Sequence, residues 1–341
     1  MTNAVVKAGV FGASGYTGFE TINILRKHPQ VDLIFATSES SAGKSISDIY
    51  PVTWDVPLVS ATDAPLTEVD VVFCCLPHAA SMPTVIKARQ AGVRVIDLSA
   101  DFRLTDVDIY QKWYGVPHES PELLQEAVYG LTELNRPQIA EANLVAVPGC
   151  YPTSVLLPLI PLLKANLLNP SAPIIADSKT GVSGAGRKLS LTTHFVEVNE
   201  DLAPYKIGQN HRHMAEMTQI INELGGDGDK IVFSPHLTPI SRGMLSTIYV
   251  SLAQDYTEDA LIALFKEAYA DAPFVQILPA GKLASMAHTQ RTNMGVISIT
   301  AVNPRYFILC ASIDNLGKGA AGQGVQNLNV MFGLNETAGL M

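Results

Sequence analysis

One short segment, Gly12-Ala13-Ser14-Gly15-Tyr16-Thr17-Gly18, constrains the fold of this chain more than any other. The apolar run before it, Val5–Phe11, reads as a strand. The stretch after it, Tyr16–His28, reads as a helix stopped by His28-Pro29, and Val31–Ala36 as a second strand. Strand, glycine turn, helix and strand within roughly 30 residues make a βαβ unit whose amides and helix N-terminus can meet a pyrophosphate. The spacing is GxxGxxG, not the usual GxGxxG, so position carries the reading. A glycine-rich turn in some other α/β sheet is the alternative.

The alternation continues through Val69–Leu76, Ala79–Ala91 and Val93–Leu98, with Gly92 as a C-cap, and it implies a parallel sheet. Beyond about residue 150 the pattern changes. Strands are expected at Ile231–Phe233, Leu245–Leu252, Val296–Val302 and Tyr306–Ile313, with one clear helix at Glu258–Ala270 and a turn over Val302–Tyr306. That is an α+β pattern, and the helical segment Gly319–Phe332 is expected to pack back on the first domain. The 341 residues suit about two domains. The expected fold is α/β: a Rossmann-type parallel-sheet domain over 1–149 plus about 319–341, and a second α+β substrate and oligomerisation domain over 150–318.

Charge narrows the partners. Lys and Arg number 23 against 32 Asp and Glu, a net −9, which gives no global attraction for nucleic acid or an anionic membrane. The apolar runs Val69–Leu76 and Val155–Leu163 fall short of the roughly 18 to 20 residues of a membrane span. Met1–Lys7 lacks the pattern of a cleaved secretion signal. Cys74, Cys75, Cys150 and Cys310 include no CxxC pair, so neither a disulfide framework nor a structural metal site is expected, and a reducing cytoplasm is.

The strand ending near Ala36 runs into Thr37-Ser38-Glu39-Ser40-Ser41, with Lys44 beyond. Hydroxyls and a lysine favour a 2′-phosphate and hence NADP, with Ser38 as its contact; Glu39 keeps a ribose-diol acceptor open. Further on, Val145-Ala146-Val147-Pro148-Gly149-Cys150-Tyr151-Pro152-Thr153 is an apolar strand, a Pro-Gly turn and a cysteine where a helix begins. A helix N-terminus stabilises a thiolate, which makes Cys150 the candidate nucleophile. Cys74, Cys75 and Cys310 lie in apolar runs and read as core. Pro158 and Pro161 leave the form of the helix after Cys150 open.

A base is offered by Gln209-Asn210-His211-Arg212-His213-Met214-Ala215-Glu216, where two histidines at alternate positions would share a side if the stretch is extended. A metal pair is the rival use, but no third ligand has clear spacing. Ser178–Lys188 is a basic glycine-containing loop, and Asp97-Leu98-Ser99-Ala100-Asp101-Phe102-Arg103 follows a strand. Arg103, Arg187, Arg212 and Arg242 are available for carboxylate or phosphate.

Taken together, Gly12–Gly18, Asp97–Leu104, Val145–Thr153, Ser183–Lys188, His211–Glu216 and Asp314–Ala321 resemble the N-acetyl-gamma-glutamyl-phosphate reductase family of the semialdehyde dehydrogenase group, along nearly the whole chain. The Pro-Gly-Cys-Tyr-Pro-Thr run with His-Arg-His far downstream is its most specific part; Ser154 and Pro158 stand where the family usually carries small residues. The resemblance implies Cys150 as nucleophile and His213 as acid/base. It implies cofactor contacts at Gly12, Ala13, Ser14, Gly15, Tyr16, Thr17, Ser183, Gly184, Ala185 and Asn315. It also implies NADPH-dependent reduction of a small acyl phosphate through a cysteine thioester, within arginine biosynthesis, by a homodimer or homotetramer. Arg103 and Arg242 are the expected grips for the substrate's carboxylate and phosphate. Reduction of aspartyl or aminoadipyl phosphate is the nearest alternative, and a non-catalytic NADP-sensing protein the one from another class.

Overall fold

The computed structural model describes residues 5–341, so the reading of Met1–Ala4 lies outside it. The chain forms two compact units, Met1–Pro148 with Ala320–Met341, and Gly149–Gly319.

The first unit holds strands β1 (Val6–Phe11), β2 (Val31–Thr37), β3 (Leu58–Val59), β4 (Val71–Cys74), β5 (Arg94–Asp97), β6 (Val128–Tyr129) and β7 (Leu144–Ala146). They lie in the order β3-β2-β1-β4-β5-β7-β6, and every neighbouring pair is parallel. This is the Rossmann-type sheet expected, and β1 and β4 sit side by side where the strand order reverses, the place where α/β sheets bind ligands. All four residues of β4 are buried, as a strand covered on both faces requires.

Helices α1 (Tyr16–Leu25), α2 (Met82–Gln90), α3 (Val107–Tyr114), α4 (Pro121–Glu126) and α5 (Thr132–Glu141) complete the chain's first pass through this unit. Two boundaries differ from the sequence reading. α1 ends at Leu25 because Lys27 and His28 donate to Ile24 and Leu25 in tight turns. α2 begins at Met82, not Ala79, because the Asp101 carboxylate takes the Ala79 and Ser81 N–H groups at 2.7 and 3.0 Å, with Ala79 at φ 61. Gly92, at φ 76, follows the end of α2.

The second unit contains α6 (Cys150–Lys164), β8 (Ile174–Gly181), α7 (Phe195–Val198), β9 (Ala203–Pro204), α8 (His213–Glu223), β10 (Ile231–Thr238), β11 (Met244–Ser251), α9 (Glu258–Ala268), β12 (Val275–Ile277), β13 (Gly295–Asn303) and β14 (Tyr306–Ile313). Its sheet runs β12-β13-β14-β11-β8-β10-β9, parallel at β8/β10 and β12/β13 and antiparallel elsewhere. This is the mixed α+β pattern expected, though with more helix than the single one read from sequence.

α6 is the central helix of that unit, buried from Tyr151 through Leu163 and packed on α8 and on β11, β13 and β14. It runs unbroken through Pro158 and Pro161. Pro161 cannot donate to the Leu157 carbonyl, and the Tyr269 hydroxyl of the second unit donates to that carbonyl instead. A π-turn, Gly317–Ala321, leads into α10 (Gly322–Met331), which belongs to the first unit and packs there on α1 and α5. Cys74 is fully buried, and Cys75 and Cys310, both partly buried, pack against the core of their own units, Cys310 from β14. Among the described residues no helix is long and apolar enough to cross a membrane.

Candidate functional site

In the first unit β1 ends at Phe11 and the chain turns at Gly12, whose φ is 81. An added Cβ there would lie 2.4 Å from the Cys75 carbonyl oxygen, so both conformation and space demand glycine. Ala13 is buried and donates its N–H to the Thr37 carbonyl. Gly15 is the N-cap of α1 with no side chain to occupy the first-turn amides, and Tyr16 and Thr17 open the helix. Ser38, 3% exposed, donates its hydroxyl to Ser14 Oγ at 2.9 Å, and Tyr50 donates to the Ser14 carbonyl at 3.0 Å. Glu39 accepts the Ala61 N–H at 2.8 Å.

Arg103 lies in the same unit and is 8% exposed. Its guanidinium donates to the Val147 carbonyl at 2.7 Å and to the Leu98 carbonyl at 3.1 Å, tying the segment after β5 to the strand end that leads to Gly149. The segment is braced further by Asp97, which accepts the Ser81 and Ser99 hydroxyls and the Ser99 N–H. Burial pushes the Asp97 carboxyl up to about 6.

In the second unit Cys150 is the first residue of α6, and the N-cap Gly149 has φ −65 and ψ 155 and no side-chain cap. Three contacts define this turn. A Cβ on Gly149 would fall 2.4 Å from His213 Nε2, so the imidazole lies on the glycine Cα. A Cβ on Gly319 would fall 2.8 Å from the Cys150 Cβ, so the π-turn presses on the thiol's own residue. Glu216, 2% exposed, accepts the Gly149 N–H at 2.8 Å.

The two histidines are not on one side of an extended stretch: His213 starts α8 after Arg212 as N-cap, and the correction has a visible cause. The His213 N–H is donated to His211 Nδ1 at 3.2 Å, which folds the two residues into a helix start with ring centroids 4.7 Å apart. Accepting at Nδ1 makes His211 an Nε2–H tautomer, and burial, with Lys206 and Arg212 adding repulsion, lowers its pKa to about 4. His211 is therefore neutral near pH 7. Beside it, Tyr205 donates to the Tyr151 hydroxyl at 3.1 Å, and burial holds both phenols well above their ordinary range. Among the described residues no cluster of three potential metal ligands forms.

Ser183, Gly184 and Ala185 form a single short turn after β8. Asn315 joins it, donating to Ser183 Oγ at 2.9 Å and accepting the Gly243 N–H at 2.9 Å. Arg242 makes a two-point contact with the fully buried Asp314, Nε and Nη2 each at 3.0 Å, and the Asp314 carbonyl in turn accepts the Gly319 N–H. The structure thus brings Cys150 and His213 to one turn and Ser183, Asn315 and Arg242 to another, while Gly12–Thr17 and Ser38 meet in the first unit. Both arginines expected at the substrate make internal bonds. Sequence reasoning gave no role to Glu216 or Asp314; the spacing of Glu216, three residues after His213 on one helical face, was the available signal.

Two family models match, described as "Semialdehyde dehydrogenase, NAD binding domain" over residues 7–142 and "Semialdehyde dehydrogenase, dimerisation domain" over 150–315. A curated N-acetyl-gamma-glutamyl-phosphate reductase from Geobacter sp. (strain M21) is 48% identical over 98% of both chains. One from Neisseria meningitidis (serogroup C) is 44% identical over 98% of this chain and 97% of its own. Among solved structures, aspartate semialdehyde dehydrogenase II from Vibrio cholerae complexed with ASA superposes with a TM-score of 0.74 at 18% identity, covering 96% of this chain and 98% of that one. The Candida albicans enzyme with NADP gives 0.71 at 18% identity, over 96% of this chain and 98% of its own. These two likenesses concern the fold alone.

Proposed function

The chain belongs to the N-acetyl-gamma-glutamyl-phosphate reductase family of the semialdehyde dehydrogenases, and from that premise we propose that it reduces N-acetyl-L-glutamyl 5-phosphate to the 5-semialdehyde and phosphate with NADPH, in arginine biosynthesis. The observation that carries the chemistry is Cys150 at the uncapped start of α6, one residue after a glycine on which His213 rests. The glycine turn of the first unit fits a dinucleotide: Gly12 keeps clear the space a Cβ would fill, and Gly15 leaves the start of α1 open to a phosphate. Gly12, Ala13, Ser14, Gly15, Tyr16, Thr17 and Ser38 would hold it; Ser183, Gly184, Ala185 and Asn315 are proposed as cofactor contacts on the family resemblance. When bound, it supplies hydride.

Cys150, ionised with help from the α6 dipole, attacks the acyl carbon. The bond to the phosphate oxygen breaks, phosphate leaves, and a thioester joins the acyl group to Cys150. Hydride uptake at the thioester carbon gives a tetrahedral oxyanion, whose collapse releases the aldehyde and the thiolate. His213 takes the thiol proton at the start and returns it to sulfur at the end. His211, neutral with Nδ1 already accepting, leaves that role to its neighbour.

NADPH over NADH is supported by Glu39, whose carboxylate already serves the Ala61 N–H, and by Ser38 and Lys44 beside it. Arg103 and Arg242 are proposed as substrate grips on their chemistry alone, acting from positions fixed by the Val147 carbonyl and Asp314. A homodimer, or a homotetramer built from it, is supported by the exposed face of the second sheet. There Val232, Ile175 and Tyr249 stand in register across β10, β8 and β11 and are 48%, 37% and 42% exposed. A reducing cytoplasm is the compartment proposed, in keeping with cysteines that form no disulfide among the described residues.

The test runs the reaction backwards, with the N-acetylated semialdehyde, phosphate and NADP, following absorbance of the reduced cofactor. Strong reduction is expected with this substrate and weak reduction with the aspartate analogue or with NAD. No signal, or equal rates with the aspartate analogue, sinks the assignment; light scattering decides the oligomer.

A further inference from the structure

We propose that Glu216 is the positioning residue of the thiol: by holding the Gly149 N–H it sets the peptide plane from which Cys150 enters α6, and its charge tunes the Cys150 ionisation. The inference rests on the proposed role of Cys150 and goes beyond it.

The geometry has three parts. Glu216 Oε1 meets the Gly149 N–H at 2.8 Å with the side chain 2% exposed, so a charge-assisted bond forms out of water. Gly149 has no side chain to fix its own conformation, and with φ −65 and ψ 155 it depends on outside contacts to stay there. His213 and Glu216 lie three residues apart on the first turn of α8, hence on one face. That single face reaches the turn at two points, the imidazole on the Gly149 Cα and the carboxylate on its N–H. Nucleophile and base are therefore registered against each other by one rigid helical turn, from a position 67 residues along the chain.

Two consequences separate this role from simple support. The carboxylate takes the N–H of the N-cap residue, immediately before the first helical residue Cys150, so it fixes the turn from which the thiol enters α6. A buried carboxylate bonded one residue before a thiol also opposes thiolate formation, so removing its charge is expected to move thiol ionisation to lower pH. Glu216→Gln keeps an acceptor oxygen at the same place and removes the charge; Glu216→Ala removes both.

The experiment measures, on the full-length enzyme, kcat and KM for both substrates, the Tm, and the rate of Cys150 alkylation by iodoacetamide against pH. Glu216→Ala is expected to lose about 10²-fold in kcat, the scale of a misplaced reacting group, with KM for NADPH within about twofold. Glu216→Gln is expected to recover at least about tenfold of that loss, with its alkylation profile moved to lower pH. Wild-type kcat in Glu216→Ala, or Glu216→Gln as slow as Glu216→Ala, overturns the proposal. If Glu216→Ala does not fold, the alkylation profile of Glu216→Gln decides alone, and an unmoved profile overturns it. Alkylation needs no acyl phosphate, so it still reads Glu216 if the substrate assignment is wrong.

Discussion

α1 and α6 begin behind the same backbone device and are used for different chemistry. Gly15 (φ −77, ψ 162) and Gly149 (φ −65, ψ 155) are both extended N-cap glycines, and neither helix start carries a side-chain cap. Each exposes orphan amides and the positive end of a helix dipole. They differ in what holds them. The Gly12–Gly15 turn is held partly by its own residues, the Gly15 N–H returning to the Gly12 carbonyl on which Gly18 packs, and partly by the neighbouring strand ends at Thr37, Ser38 and Cys75 of the same sheet. The Gly149 turn is held by α8 and the π-turn, through His213, Glu216 and Gly319. A turn braced by the ends of its own sheet suits a phosphate, which needs only amides; a nucleophile needs a base in register, and at Gly149 that base comes on a separate helix.

Four substitutions test this contrast, beginning with the largest effect. Cys150→Ser should cost on the order of 10⁴-fold in kcat, the scale of losing a nucleophile, while NADPH still binds by fluorescence titration. Retained turnover would remove Cys150 from the role. Gly149→Ala drives a methyl into His213 and should lower kcat by about 10²-fold, with about 1–3 kcal/mol of overpacking lost in denaturant titration. Normal kcat would mean that α8 does not set the register.

Gly12→Ala is the matched lesion at the other turn. It meets the Cys75 carbonyl and a left-handed φ costing about 1–2 kcal/mol, so KM for NADPH should rise about tenfold with kcat at saturating cofactor nearly unchanged. A fall in kcat as large as that from Gly149→Ala would erase the distinction between the two turns.

The smallest effect concerns pH. His211 has a pKa of about 4 in the folded chain against 6.5 unfolded, so between those values the unfolded chain binds more protons. This contribution is present above pH 6.5 and is lost as pH falls towards 4. His211→Asn keeps an acceptor for the His213 N–H, and its Tm should fall less than wild type between about pH 7.5 and 5. Parallel Tm profiles would break the argument that His211 stays neutral.

Much of the first unit was legible because its signals are local. Near-continuous apolar strands, a glycine turn and short helices specify parallel βαβ units within a few tens of residues, and β1, α1 and β2 fall within a few residues of the reading. What was misread or left open turned on long-range contacts: α2 starts late because Asp101 takes the amides of the loop before it, and the open question of α6 is answered by a continuous helix in which Tyr269 bonds the carbonyl that Pro161 orphans. The spacing of His211 and His213 left their relation conditional on an extended stretch, since nothing local announces a helix that starts at the second histidine.

The types of chemistry were thus written in the chain itself: a glycine turn after a strand, a cysteine after Pro-Gly, histidines in a polar run, and cations enough in a chain of net −9. Folding decided their assignment. Burial and one hydrogen bond made His211 neutral and left His213 against Gly149; a buried carboxylate became the clamp of that turn; and Arg242 was paired with Asp314. Residue type determines what a side chain can do, but protonation, register and pairing depend on neighbours dozens of residues away, and only the packed structure supplies those.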